Sequence, residues 1–120
     1  MITVHWTGRA VSDNAKTIRD CRGYHRNSSE YRAYRSSVAA TIMEQRPAVR
    51  LDRPGLFVQF RLEGHCDASN MLKGLLDGIQ ESGLVANDRH IAPVTVLPTL
   101  KHPRGERDEA WLVFWEDQRC

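Results

Sequence analysis

Apolar residues recur along the chain with two different periods, and the switches between them predict its elements. Ile2, Val4 and Trp6 alternate with Thr3 and His5, which predicts a short strand over residues 2–6. Periodicity then lapses. From Gly8 to Arg26 small, polar and basic residues dominate, the pattern of a long loop. Asn27-Ser-Ser-Glu30 has the form of a helix start, with Asn27 as N-cap and Glu30 reaching back in a capping box. Tyr31, Tyr34, Val38 and Ile42 then mark a helical stripe to about Gln45, and Pro47 forbids its continuation. Both tyrosines read as core residues.

Residues 50–55 form a turn. Leu56, Val58, Phe60 and Leu62 alternate with Phe57, Gln59, Arg61 and Glu63, the clearest strand in the chain. It leads through Gly64-His65-Cys66 to Asp67, where the period changes to that of a helix. Met71, Leu72, Leu75, Leu76 and Ile79 make one apolar stripe, Asn70, Lys73 and Asp77 lie on the other side, and Gly83 fits a helix stop. Ser82 to Arg89 reads as a loop and Ile91 to Leu97 as a strand, with Pro93 suggesting an edge or a distorted start. Pro98 to Glu109 reads as a long polar turn, basic first and acidic later, and Ala110 to Trp115 as an apolar final strand. The order β-α-β-α-β-β predicts one α+β domain over residues 1–120. Two helices would pack on one face of a mixed sheet of about four strands.

Composition narrows the class. At 120 residues, 41% hydrophobic and 27% charged, the chain has the make-up of an ordinary soluble globule. No apolar run approaches a membrane span, and the N-terminus lacks a signal peptide's apolar core, so no membrane association is expected. Cys21, Cys66 and Cys120 are odd in number and widely spaced. They favour reduced thiols in a cytoplasm over a disulfide framework.

The net charge of +2 conceals an asymmetry. Between Arg9 and Arg35 lie seven bases (Arg9, Lys16, Arg19, Arg22, Arg26, Arg32, Arg35) against three acids. Between Arg61 and His90 three bases face five acids, Glu63, Asp67, Asp77, Glu81 and Asp88. A basic flank beside an acidic centre suits a polyanion held near metal ions; clustered charge on a solvated surface is the plain alternative. Arg19, Arg22, Tyr24, His25 and Arg26 are able to grip phosphates and stack on a base or sugar, or simply to keep a loose connection wet. Arg32 and Arg35 project from the first turns of the helix and extend that basic segment.

Asp67 and Asp88 are hard oxygen donors suited to Mg²⁺ or Mn²⁺, although aspartate at the start of a helix also serves as an ordinary N-cap. Asp77 lies ten residues beyond Asp67, roughly 15 Å along the axis, too far to share its ion. Lys73 and Asp77, four apart, can pair across one turn instead. His65, Cys66 and His90 suggest zinc, but only Cys21 or His25 could complete the set, at no recognised spacing. A Gly-rich phosphate loop, G-x-S-x-G and H-E-x-x-H are all missing from the sequence.

The stretch from Asp67 to Ile91 resembles the RusA family of Holliday-junction resolvases, found in phages and prophages. Their signature is an Asp-x-Asp-Asn-x-x-Lys run opening a helix, an Asp in a Leu-Asp-Ala-Leu-like context, and Asp-Asp before a polar-x-Ile. Here it reads Asp67-Ala-Ser69-Asn70-Met-Leu-Lys73, then Leu76-Asp77-Gly78-Ile79, then Asn87-Asp88-Arg-His90-Ile91. Upstream, a basic Tyr-containing loop leads through Ser29-x-Tyr31-x-x-Tyr34-Arg35 into a helix, and the similarity there is diffuse. The resemblance implies a homodimeric, Mg²⁺-dependent endonuclease (Mn²⁺ being an alternative) that nicks four-way DNA junctions symmetrically in a bacterial cytoplasm. Asp67 and Asp88 would be metal ligands, and Lys73 the catalytic lysine. Lys16, Arg19, Arg22, Arg26, Arg32 and Arg35 would hold the DNA backbone. Two positions depart from the pattern. Ser69 stands where the family has its second aspartate, so it would ligate weakly or through water, and Asn87 replaces the first of the paired aspartates. A junction-binding module that has lost catalysis is the alternative.

Overall fold

The computed structural model describes residues 1–12, 17–19, 25–64 and 66–116, with the backbone alone for 17–19 and 25–27. Strand β1 (Ile2–Gly8) is followed by short strands β2 (Thr17–Arg19) and β3 (His25–Asn27), then helix α1 (Ser29–Gln45) and strand β4 (Gly55–Glu63). Helix α2 (Ala68–Ser82), a 3₁₀ turn at Asp88–His90 and strands β5 (Val94–Val96), β6 (Leu100–His102) and β7 (Asp108–Trp115) complete the chain. This is the expected α+β architecture, with a mixed sheet of five strands in place of about four. The sheet runs β1-β7-β4-β5, and β6 joins β4 farther along the edge that β5 occupies. β1 and β4 both pair antiparallel with β7, whereas β5 and β6 run parallel to β4. None of the described helices is long and apolar enough to cross a membrane.

The alternation in β4 does what its spacing requires: Leu56, Val58, Phe60 and Leu62 are at most 1% exposed. Register then fixes their neighbours. Trp6, Ala110 and Phe60 lie in one row across three strands, and Val4, Leu112 and Val58 in the next. The small Ala110 between two large rings lets the row interlock with the helices above. Tyr31, Tyr34, Val38 and Ile42 of α1 and Met71, Leu75 and Ile79 of α2 close this core. Each such side chain contributes about 1.5–3 kcal/mol on burial. The Trp6 indole donates to Ser37 Oγ (3.0 Å) and the Tyr34 hydroxyl to the Met71 carbonyl (2.9 Å), so neither ring leaves a polar atom unpaired in the core.

Four local expectations are corrected. The N-cap of α1 is Ser28, whose Oγ accepts from the Tyr31 backbone N–H, and not Asn27. Asn27 is engaged in β3, opposite Thr17, so the cap falls one residue later. The stretch from Gly8 to Arg26 is not wholly a loop, because Thr17–Arg19 and His25–Asn27 pair as an antiparallel ribbon. Three-residue strands are too short for alternation to show. The segment from Pro98 to Glu109 contains β6, which owes its extended form to pairing with Arg61–Glu63 at the end of β4. The strand expected over Ile91–Leu97 shrinks to Val94–Val96, since Pro93 has no N–H to donate and Ile91 turns into the core.

The outer edge of β1 does not lie bare. The His5 backbone N–H donates to Gln45 Oε1 (3.0 Å), Gln45 Nε2 donates back to the His5 carbonyl (2.6 Å), and Arg46 Nε reaches the Thr3 carbonyl (3.3 Å).

At the opposite end, the β6–β7 turn is fastened by a buried imidazole. His102 Nε2 lies 2.6 Å from Asp108 Oδ1 and Nδ1 lies 2.8 Å from the Pro103 carbonyl, while Asp108 Oδ2 accepts from the Ala10 backbone N–H (2.9 Å). The Pro103 carbonyl and then the Asp108 carboxylate favour the protonated ring, raising its pKa above the ordinary 6.5 against the opposing effects of burial and Arg61. A pKa raised by folding means the contribution is complete below the unfolded value and is lost as pH rises through the folded one. Thermal unfolding should therefore show wild type losing its advantage over His102→Gln as pH climbs from 6 upward. Parallel curves for the two proteins would contradict the imidazolium assignment.

Candidate functional site

Helix α2 begins where β4 releases the chain. Asp67 is its N-cap: the carboxylate Oδ1 accepts from the Ser69 backbone N–H (3.2 Å), and the residue is exposed. Gly83 closes the helix with φ of 81°, a left-handed conformation that glycine adopts without strain. Between these ends the helix buries Met71, Leu75 and Ile79 and turns Lys73 outward. Gly74 and Gly78 let it lie close against α1. A Cβ at Gly78 would come within 2.6 Å of Val38 Cβ and 2.8 Å of the Arg35 carbonyl oxygen.

The loop after α2 folds back along it. Gln80 Oε1 accepts from the Asp88 backbone N–H (3.0 Å), and Asn87 Oδ1 accepts from the Arg89 N–H (3.0 Å), capping the 3₁₀ turn. Asp88 is thereby returned to the outer face of the helix. Lys73 Nζ lies 2.8 Å from Asp88 Oδ2 and 3.1 Å from Asp77 Oδ1. The other oxygen of Asp77 accepts a hydrogen bond from the hydroxyl of Tyr31, a fully buried residue of α1. A chain of polar contacts thus runs from the core to the surface: Tyr31, Asp77, Lys73, Asp88. The hydrogen bonds to Asp88 and then Asp77 raise the Lys73 pKa further, so its ammonium is charged at any physiological pH.

The structure brings together Lys73, Asp77 and Asp88 directly. Asp67 sits at the start of the same helix, six residues or roughly 9 Å along the axis from Lys73. Ser69 is exposed in the first turn, and its backbone N–H is taken by Asp67. The i,i+4 pairing of Lys73 and Asp77 was legible from spacing, and so was a loop folding back to return Asp88 to the helix, although to its Asp67 end and not to Lys73 as found; the Tyr31 hydroxyl, 46 positions before Asp77, was not legible. Among the described residues, no group of three His, Cys, Asp or Glu is placed to hold a metal ion. For Cys66, burial first and the carboxylates of Asp108 and Glu63 next push the thiol pKa up against the pull of Lys101, which makes it a poor thiolate. His65 and Cys21 lie outside the described residues, as does the side chain of His25.

Of the basic residues expected to hold a polyanion, Arg32 is exposed on α1. Arg35 is half-buried, and its Nε lies 3.4 Å from Glu81 Oε1 of α2, an ion pair between the two helices without a hydrogen bond. Lys16 and Arg22 lie outside the described residues, as do the side chains of Arg19 and Arg26 in the β2–β3 ribbon. Neither a family model nor a curated protein matches the chain.

Proposed function

We propose that the chain is a metal-dependent endodeoxyribonuclease of the RusA type, acting on four-way DNA junctions as a homodimer. The observation that carries this reading is the placement of Lys73 between Asp88 and Asp77 on the helix that Asp67 caps. A loop carboxylate has been returned to a helix that already carries a carboxylate and an ammonium. Hard carboxylate oxygens suit Mg²⁺ or Mn²⁺, and Mg²⁺ commonly takes one or two carboxylates and completes its shell with water and substrate phosphate. One oxygen of Asp67 bonds to Ser69 and one of Asp88 to Lys73, which leaves each carboxylate a second oxygen for an ion. Asp88, beside Lys73 and Asp77, and Asp67 at the helix start are the residues that would hold such ions, each shell completed by water and substrate phosphate, with Ser69 at most through water; when bound, an ion would supply charge neutralisation and activation of water.

The chain's own part is electrostatic. In hydrolysis a water oxygen forms a new bond to phosphorus while one ester P–O bond breaks, and negative charge grows on the phosphoryl oxygens and leaving oxygen. Lys73, held cationic, is the group to meet that charge, and Asp77, anchored by Tyr31, fixes where the ammonium points. Two copies related by a two-fold axis would present two such sites to a two-fold symmetric junction. A second reading, a junction binder without catalysis, is favoured by one observation: Ser69 supplies no carboxylate, and no group of three His, Cys, Asp or Glu among the described residues is placed to hold a metal ion.

Incubating the protein with a labelled four-way junction and Mg²⁺ or Mn²⁺ separates the two readings. Symmetric nicks that vanish in Asp67→Asn are the expected result. A shifted junction that stays intact under both metals would establish the binder instead. Within the enzyme reading, Ser69→Asp restores a carboxylate to the site and should lower the Mg²⁺ concentration needed for half-maximal cutting. An unchanged or raised requirement would mean the serine is no vacancy.

A further inference from the structure

At the end of β4 nearest Asp67, the β6–β7 turn borders an open concavity of about 560 Å³ whose lining includes Arg9, Arg104, Arg107, Cys66, Glu106 and Asp108. Its charges are not evenly matched. Glu106 is bonded to Arg61 at 2.6 Å, and Asp108 is bonded to His102 and to the Ala10 N–H. The three guanidinium groups of Arg9, Arg104 and Arg107 make no ion pair among the described residues, and all three residues are exposed. Two of the three acids there are therefore already bonded to other groups, leaving Glu63, while the cations keep all their donors.

Position adds to charge. Cys66, in the wall of the concavity, precedes Asp67, and Lys101 Nζ donates to the Cys66 carbonyl (2.5 Å), so β6 is tied to the entry of α2. The His102–Asp108–Ala10 contacts fasten the turn to the exit of β1, so Arg9 and the two turn arginines project from linked backbone. Planar guanidinium groups around a concave surface match phosphate oxygens through paired N–H donors.

We infer that this cradle is a further contact for the phosphodiester backbone of a nucleic acid, in addition to the basic residues from Lys16 to Arg35 expected to hold it. Its ligand is a strand running past Asp67 toward the β6–β7 turn. The inference rests on the nuclease reading only for the nature of the polyanion. The arginines would fix the strand's path through its phosphates.

The test is fluorescence anisotropy of a labelled four-way junction and a labelled duplex across a salt series, with wild type, Arg104→Gln/Arg107→Gln and a control, Arg50→Gln/Arg53→Gln. The control removes the same charge before the start of β4, roughly 27 Å of strand away from its far end. In the turn variant the plot of log affinity against log salt should flatten by about one unit per arginine removed, with several-fold weaker binding at low salt. The control should keep the wild-type slope. A turn variant that binds like wild type overturns the cradle and leaves the nuclease reading standing. Equal loss in both double variants overturns it as mere net charge, and wild type that binds neither DNA at low salt overturns both together. Unchanged thermal unfolding confirms that each variant is folded.

Discussion

On the proposed nuclease reading, Lys73→Met should cut the rate of junction cleavage by about two to three orders of magnitude, the range seen when one preorganised donor to a developing negative charge is removed. Binding should hardly change, because one ammonium among many basic groups adds little to affinity for a long polyanion. Stability should hardly change either. Lys73 is 44% exposed on its side chain, and ion pairs at such positions contribute roughly 0–1 kcal/mol. Loss of rate with retained binding and retained melting temperature is thus the signature of a group used in the transition state. Loss of binding in step with rate would make Lys73 a backbone anchor, and cleavage at the wild-type rate would remove it from the chemistry. Tyr31→Phe offers a graded comparison. It deletes the hydroxyl that holds Asp77 while keeping the buried ring, so the rate should fall by less than in Lys73→Met.

Gly78→Val should destabilise the fold by about 3 kcal/mol, the upper range for forcing atoms into a filled interior. The melting temperature should drop by roughly 10 °C or more for a chain of this size. The reason lies in what a side chain would meet. A Cβ there falls 2.6 Å from Val38 Cβ and 2.8 Å from the Arg35 carbonyl, and backbone cannot step aside as a flexible side chain can. Helices α1 and α2 would have to part, with Gly74, whose added Cβ would strike the Tyr34 ring at 2.5 Å, parting beside it. Gly64→Ala is the matched control, since nothing lies within 4 Å of a Cβ at that turn. Equal melting of the two variants would show that the helices are not pressed together at Gly78.

How much of this was readable depended on whether the governing contact was local. The strand over Leu56–Leu62 and the helix between Asp67 and Gly83 declare themselves, because alternation, cap and stop all sit within the segment they define. Lys73 with Asp77 falls in the same class: two residues, one turn apart. The contact of Lys73 with Asp88 does not, since it depends on Gln80 catching the Asp88 N–H and so on the path of a loop. Gly74 and Gly78 passed unnoticed for a related reason. An i,i+4 pair of glycines inside an apolar stripe is a visible sign of close helix packing, but the partner that makes it necessary lies some forty residues earlier in α1. The β6 strand, bounded by Pro98 and Pro103, carries the punctuation of a turn and is extended only because β4 offers it an edge.

The polar lacing along β1 has a consequence for how the molecule behaves in company. A sheet ends in a row of unsatisfied amides and carbonyls that will accept a strand from any neighbour. By giving both a donor and an acceptor to His5, the Gln45 carboxamide imitates one peptide unit of such a strand, and Arg46 fills the next vacancy at Thr3. The opposite margin is broken between β5 and β6, where Gln59 donates to the Pro98 carbonyl. Both flanks are thus poor templates for fibrous stacking.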